Sequence, residues 1–145
     1  MKTLADTSCL VAAMIEAHPA HERALAWFER ERGKKHSLLV CAHTLAELYA
    51  VLTRLPLKPR IGPDLARRLI RENVEAVATV IALDPTDYAM VLDRMAEMGL
   101  SGGVVYDALA MRAAEKAGAG LLVTLNEADF RRLCPPGGVT IAAPS

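Results

Sequence analysis

The sequence predicts an open α/β fold in which helices cover both faces of a parallel sheet. Short aliphatic segments alternate along the chain with longer segments of helical periodicity. The aliphatic segments are apolar at almost every residue, which is typical of strands that are buried on both faces. Strands that alternate with helices in this way pair in parallel. The 145 residues suit one compact unit, so residues 1–145 are expected to form a single domain.

Five segments fit buried strands because each is short, aliphatic and bounded by turn residues or by a helical segment. They are residues 2–5, SLLVCA at 37–42, VATVIAL at 77–83, GLLVTL at 120–125 and VTIAA at 139–143. Their order along the chain leaves room for a helix after each of the first four. The pattern therefore predicts a five-stranded sheet.

The helical segments follow from apolar spacing and from their end signals. In HTLAELYAVLTRL, for example, Leu45, Leu48, Tyr49 and Leu52 recur at i, i+3, i+4 and i+7. Asp84 precedes Pro85 and is expected to be a helix N-cap, whereas Gly118 is expected to end a helix. The predicted helices span residues 8–17, 20–32, 43–55, 64–73, 85–98 and 106–118, and residues 126–133 form a short helix or a loop.

Composition excludes several classes of protein. No uncharged window reaches the roughly 18 residues of a membrane span, and no signal peptide is evident. Cys9, Cys41 and Cys134 are odd in number and far apart, which favours free core thiols in a reducing cytoplasm. His18, His21, His36 and His43 show no metal-ligand spacing and are expected at the surface or at caps.

Charge is balanced overall but concentrated locally. The formal net charge is zero, yet the segment from Arg54 to Arg71 holds six basic residues against Asp64 alone, so it carries +5 and the rest carries −5. Such a segment is either a solvated face or a surface for phosphates, and Arg54, Lys58 and Arg60 are candidates for RNA-backbone contacts. Aromatic residues make up only 4% of the chain, too few for a base-stacking sheet of the RRM kind.

Three carboxylates stand alone in apolar surroundings. Asp6 is the only charged residue from Thr3 to Ile15, Glu47 the only one in residues 37–53, and Asp107 the only one in residues 99–111. At 23% charged residues, each window should hold about three or four charges. This depletion of charge in all three windows argues against three independent solvated carboxylates.

The predicted topology brings these carboxylates together. Asp6 follows the first strand, Glu47 lies in the helix after the second, Asp107 is in the first turn of a later helix, and Asp129 lies just past the fourth strand. Ligands of open α/β sheets bind beyond the carboxyl ends of the strands. Clustered carboxylates need a cation to stay ionised, and an all-carboxylate set suits Mg²⁺ or Mn²⁺. Hydrolysis of a phosphodiester fits such a site, since no GxSxG, P-loop or GxGxxG motif competes for the role.

Each candidate also has a simpler interpretation. Asp6 is a favoured residue for capping the helix near Ser8, and Asp107 is favourable in a first turn because of the helix dipole. Asp129 has Arg131 and Arg132 beside it and fits a surface ion pair. Thr7, Ser8 and Thr124 either hydrogen-bond the carboxylates or serve capping and packing.

Four motifs resemble the acidic motifs of the PIN domain, in the order and spacing of the VapC ribonuclease toxins. They are LADTSCLV, TLAELYAVLTR, YDALAMRAA and LLVTLNEADF, and the resemblance covers essentially the whole chain. It implies a five-stranded parallel sheet of order 3-2-1-4-5 and an endoribonuclease that depends on Mg²⁺ or Mn²⁺. It also implies a homodimer and a VapB-like antitoxin, whose helix would dock near residues 8–17, 44–52 and 64–73.

Carried over by motif, the resemblance makes Asp6, Glu47 and Asp107 catalytic metal ligands. The fourth motif departs from the family pattern, because Asn126 stands where an acid is common; Asp129 is then expected to be the fourth ligand and Asn126 a neutral partner. The alternative function is a PIN-like module that binds RNA or a partner with weakened catalysis. A receiver domain or a haloacid dehalogenase-like phosphatase fits less well, since Ser8 stands where the latter needs a second aspartate.

Overall fold

The computed structural model describes residues 1–34 and 36–145, and its centre is a five-stranded sheet. The strands are β1 (Thr3–Ala5), β2 (Leu38–Cys41), β3 (Thr79–Ile81), β4 (Leu121–Val123) and β5 (Thr140–Ala142). All neighbours pair in parallel, in the order β3-β2-β1-β4-β5. The predicted strand number, direction and order are confirmed. Each strand is shorter than its aliphatic segment, because flanking residues pass into loops and helix starts.

Helices follow the strands as predicted. They are α1 (Thr7–Met14), α2 (His21–Arg32), α3 (Ala42–Arg54), α4 (Pro63–Ile70), α5 (Pro85–Glu97), α6 (Val104–Ala117) and α7 (Glu127–Leu133); a π-helical turn, Arg71–Glu75, continues α4. In the part of the chain that the structure describes, no helix is long and apolar enough to cross a membrane.

Two hydrophobic cores lie on opposite faces of the sheet. Side chains alternate along the strands, so Ala5, Val40 and Val123 point into the core under α1 to α4. Leu4 and Leu122 point the other way, into the core under α5 to α7. Both faces are therefore covered, as the unbroken apolar runs of the strands predict.

The helix boundaries differ from the predicted ones by more than one residue at three places. Helix α1 ends at Met14 instead of residue 17, because Ile15 is extended and a turn precedes Pro19. Helix α6 begins at Val104, two residues before the predicted start, which keeps Asp107 within its first turn. The segment predicted as helix 64–73 changes from α-helical to π-helical hydrogen bonding at Arg71.

A buried carboxylate that the sequence analysis does not single out joins α5 to α6. Asp87 is 2% exposed and accepts hydrogen bonds from Arg112 Nε at 2.8 Å and Lys116 Nζ at 2.6 Å. It also forms a capping box with Asp84, which confirms Asp84 as an N-cap. The Lys116 and Arg112 cations hold the pKa of Asp87 well below its usual range. This network fixes the helix that carries Asp107.

Candidate active site

Asp6 lies at the carboxyl end of β1 and is 3% exposed. Its Oδ1 atom accepts a bond from the Cys9 backbone N–H at 3.0 Å, which makes it the N-cap of α1, and another from the Ser8 hydroxyl at 2.7 Å. Its Oδ2 atom accepts from the Thr124 hydroxyl at 2.5 Å. Burial raises the pKa of Asp6, and these hydrogen bonds oppose the rise. The capping interpretation is thus correct for this residue, and capping leaves its carboxylate beside the other acids.

The loop after β4 is tied to the start of α1. Thr124 is fully buried and accepts from the Asn126 N–H at 2.8 Å through the same hydroxyl that donates to Asp6. The Ser8 hydroxyl accepts from the Leu125 N–H at 3.0 Å. Ser8 and Thr124 therefore orient the Asp6 carboxylate and link two neighbouring strand ends, β1 and β4.

Glu47 lies in the second turn of α3, half-buried beside α1. Burial raises its pKa, and the nearby charge of Asp6 raises it further. Two neighbours lower the pKa of Glu47: His43, which lies one turn earlier in the same helix, and the Thr7 hydroxyl. Because the charge of Asp6 raises the pKa of Glu47, the two carboxylates lie close enough to interact.

Asp107 lies within the electrostatic field of all three other predicted acids. Burial, followed by the charges of Asp6, Asp129 and Glu47, raises its pKa to about 7. Each of the other three candidates therefore contributes to the field at Asp107, so the four carboxylates form one electrostatic cluster. We call Asp6, Glu47, Asp107 and Asp129 the acidic cluster.

Asp129 lies at the solvent side of this cluster. Its side chain is 49% exposed, and its Oδ1 atom accepts from Arg132 at 3.2 Å. Asp129 thus forms the surface ion pair with Arg132, and its charge also raises the pKa of Asp107. Asn126 precedes α7 and is exposed, and its side chain makes no capping hydrogen bond.

The acidic cluster is not a closed coordination shell. Among residues 1–34 and 36–145, no three His, Cys, Asp or Glu side chains are arranged as a ready-made metal site. The candidate ligands are nevertheless suited to a hard divalent ion, because every one of them offers carboxylate oxygens. Burial, together with repulsion from the other carboxylates, raises the pKa of Asp107, and a bound cation would relieve that repulsion.

Two aromatic side chains, His43 and Tyr106, lie near the acidic cluster without having been predicted there from the sequence. The imidazole of His43 stacks on the ring of Tyr106, with centroids 5.0 Å apart and an interplanar angle of 10°. His43 is half-buried, whereas a surface or cap position is expected from the sequence. Their positions in the sequence could have indicated this, because His43 lies four residues before Glu47 and Tyr106 directly precedes Asp107.

The basic candidates lie along or beyond the same helix. Arg54 is exposed at the end of α3, seven residues after Glu47, which places it on the same helix face about 10 Å further along the axis. Lys58 and Arg60 are exposed in the following loop. Arg67, further on, pairs with Glu75.

Comparison with known proteins agrees with the resemblance of the motifs. A model of the PIN domain matches residues 3–134. Ribonuclease VapC27 of Mycobacterium tuberculosis (strain ATCC 25618 / H37Rv) is 37% identical over 111 residues, which are 76% of this chain and 75% of that protein. Ribonuclease VapC40 of Mycobacterium tuberculosis (strain CDC 1551 / Oshkosh) is 37% identical over 117 residues, 81% of each chain.

Solved structures share the fold at lower identity. VapC20 of Mycobacterium tuberculosis, described as a sarcin-ricin loop cleaving toxin, has a TM-score of 0.73 at 16% identity and covers 95% of this chain and 97% of its own. DNA-bound VapBC from Salmonella typhimurium has a TM-score of 0.72 at 18% identity and covers 100% and 99%. Since the PIN model spans most of the chain and relatives named VapC match at 37% identity over three-quarters or more of it, the chain belongs to the PIN-domain family, within its VapC group.

Proposed function

We propose that this protein is an endoribonuclease that hydrolyses RNA phosphodiester bonds as the toxin of a VapBC-type pair. One observation carries the proposal: the acidic cluster converges at the carboxyl end of the sheet, with the pKa of Asp107 raised to about 7 by burial and by its three neighbours. The relatives named ribonuclease VapC support the same activity. The reaction adds water across the ester, so one P–O bond forms and another breaks.

Asp6, Glu47, Asp107 and Asp129 are proposed to hold Mg²⁺ or Mn²⁺. Such an ion supplies activation of a water molecule and stabilises negative charge on phosphate oxygens. Within the chain, Ser8, Thr124 and the Cys9 N–H fix the orientation of Asp6, while the Thr7 hydroxyl acts on Glu47. Asn126 is proposed as a neutral partner at the open side of the cluster. Arg54, Lys58 and Arg60 are proposed to contact RNA phosphates.

A VapB-like antitoxin, a homodimer and a cytoplasmic location complete the proposal. An apolar groove runs between α1, α2 and α4 and is lined by side chains that include Leu10, Met14, Phe28 and Leu69. This groove overlaps two of the segments expected to dock an antitoxin helix, residues 8–17 and 64–73. Several solved structures with this fold are VapBC complexes, which supports a partner of that kind.

The test is cleavage of a mixture of structured RNAs by purified protein in Mg²⁺, Mn²⁺ or EDTA. We expect discrete products that require the metal and that disappear with Asp6→Asn and with Asp107→Asn. Asp93→Asn is the matched control, because Asp93 is exposed on α5 and lies outside the acidic cluster. Unchanged cleavage by both cluster variants would refute the assignment. Tight RNA binding without cleavage, from protein free of antitoxin, would favour the binding module instead.

A further inference from the structure

We propose that Tyr106, backed by His43, is a nucleobase-stacking site that holds one unpaired base of the RNA beside the acidic cluster. The inference rests on the proposed ribonuclease function and adds to it how the protein binds a base of the RNA strand. The stacking site contacts a base, whereas the carboxylates and the basic residues are proposed to act at the phosphates.

The geometry of the ring pair carries the first step. The two rings are nearly parallel, at 10°, with centroids 5.0 Å apart, so the imidazole of His43 stacks with a lateral offset against one face of the Tyr106 ring. Tyr106 as a whole is still 45% exposed. A tyrosine placed only to pack α6 against α3 would bury most of its ring, because burial is what makes such packing favourable. Tyr106 instead keeps a large accessible surface beside its stacking partner.

The position of the pair carries the second step. Tyr106 directly precedes Asp107 in α6, and His43 lies one helical turn before Glu47 in α3. His43 is near enough to Glu47 to oppose the rise in its pKa. The two stacked rings are therefore carried by the same two helices that supply central carboxylates, Glu47 from α3 and Asp107 from α6. A base stacked on Tyr106 would belong to a nucleotide at or next to the scissile phosphate.

The chemistry of stacking defines the ligand. Every base has a π-face, so a single aromatic ring accepts any of them when the base is unpaired and unstacked. The site therefore selects a flexible or single-stranded segment of RNA and contributes little to the choice of base. This does not conflict with the low aromatic content, since one tyrosine supported by a histidine is enough for one base.

The test is binding of a short single-stranded RNA that carries 2-aminopurine, measured in EDTA so that no metal-dependent cleavage occurs. Stacking quenches 2-aminopurine, and we expect wild-type protein to quench it on binding. Tyr106→Leu is expected to weaken binding about tenfold and to lose the quenching, and Tyr106→Phe to restore both relative to the leucine variant. Tyr88→Leu is the matched control, because Tyr88 is 39% exposed on α5, outside the acidic cluster.

One further variant and a set of contrary outcomes keep the proposal open to refutation. His43→Asn removes the backing ring and is expected to reduce quenching even if Tyr106→Leu folds poorly. Absence of quenching by the wild type, or equal quenching by Tyr106→Leu and wild type, would overturn the stacking site. Quenching that depends on Tyr106 in a protein that cleaves no RNA would support the stacking site and refute the ribonuclease, so the two failures are distinguishable.

Discussion

Thr124 donates its hydroxyl to Asp6 Oδ2 at 2.5 Å, although 118 residues separate them in the sequence. The contact joins the ends of two neighbouring parallel strands, because Thr124 follows β4 and Asp6 follows β1. Both side chains are almost completely buried, and the Thr124 hydroxyl also accepts from the Asn126 N–H. The Thr124 hydroxyl thus holds one oxygen of the most deeply buried carboxylate of the site, while Ser8 and the Cys9 N–H hold the other.

Replacing this hydroxyl is expected to destabilise the fold. Thr124→Val keeps the shape of the side chain but leaves Asp6 Oδ2 and the Asn126 N–H without their partner. The free energy of unfolding should fall by about 1–3 kcal/mol at pH 7, as measured by urea denaturation. Thr79→Val, at an exposed position of β3, should change it little. Equal stabilities for wild type and Thr124→Val would show that the bond contributes nothing net.

Asp107 should make the metal-free protein less stable as the pH rises from about 4 to about 7. Its pKa in the folded protein is raised to about 7, so over this range the unfolded chain releases the proton first and is favoured by increasing pH. Burial raises the pKa of Asp6 and Glu47 in the same direction. Asp87, whose pKa is lowered, has the opposite effect below about pH 5, where its carboxylate stays ionised in the folded protein while the unfolded chain begins to take up the proton.

The substitution Asp107→Asn should remove much of that slope. At pH 7 in EDTA, we expect the variant to be more stable than the wild type by roughly 1–2 kcal/mol, since a half-buried charge that is repelled by its neighbours, and partly screened by solvent, is replaced by a neutral amide. Chemical denaturation at pH 5 and pH 7 measures the difference. Wild-type and variant slopes that coincide would mean that Asp107 does not titrate in this range.

Asp87 should matter for stability and not for the chemistry. Asp87→Asn weakens the bonds to Arg112 and Lys116 and leaves each cation only a longer ion pair, at 3.8 Å and 3.6 Å respectively. The melting temperature should fall by roughly 5 °C or more, whereas RNA cleavage per folded molecule at low temperature should be unchanged. Thermal denaturation and cleavage assays with Asp93→Asn as control separate the two effects. A loss of cleavage without a loss of stability would contradict this structural role.

Arg54 should contribute to RNA affinity through the phosphate backbone. Arg54→Gln is expected to weaken binding similarly for different RNA sequences and to make the slope of log Kd against log salt concentration shallower by about 1. Arg67→Gln is the comparison, because Arg67 is already paired with Glu75. Titrations at several salt concentrations measure both slopes. Identical slopes for Arg54→Gln and wild type would exclude a phosphate contact.

The sheet was predictable because strand burial leaves a strong pattern in the sequence. Unbroken aliphatic runs such as SLLVCA identified strands covered on both faces, and the alternation with helices determined that they are parallel. The order of the strands came from the family resemblance of the motifs. The early end of α1 was not predictable from apolar spacing, since the spacing continues to residue 17 while the backbone turns at Ile15.

The acidic cluster was predictable for a related reason. A lone carboxylate in an apolar window, as at Asp6 or Asp107, stands out against the composition of the chain, whereas Asp129 among charged neighbours does not. His43 was missed because its role depends on a contact with Tyr106, 63 residues further along, which no local spacing reports. Asp87 was missed because an aspartate three residues after an N-cap is common at helix starts. Only the positions of Arg112 and Lys116 reveal that it is buried and paired.

The two hydrophobic cores have a consequence for how this protein would lose activity. Asp6 and Glu47 are carried by the layer of α1 and α3, while Asp107 and Asp129 are carried by α6 and α7 on the opposite face of the sheet. Loosening of either layer separates the carboxylates even if the other layer keeps its native packing. Partial unfolding of either layer is therefore enough to inactivate the molecule. On heating or in mild denaturant, catalytic activity would decline before the circular dichroism of the helices does.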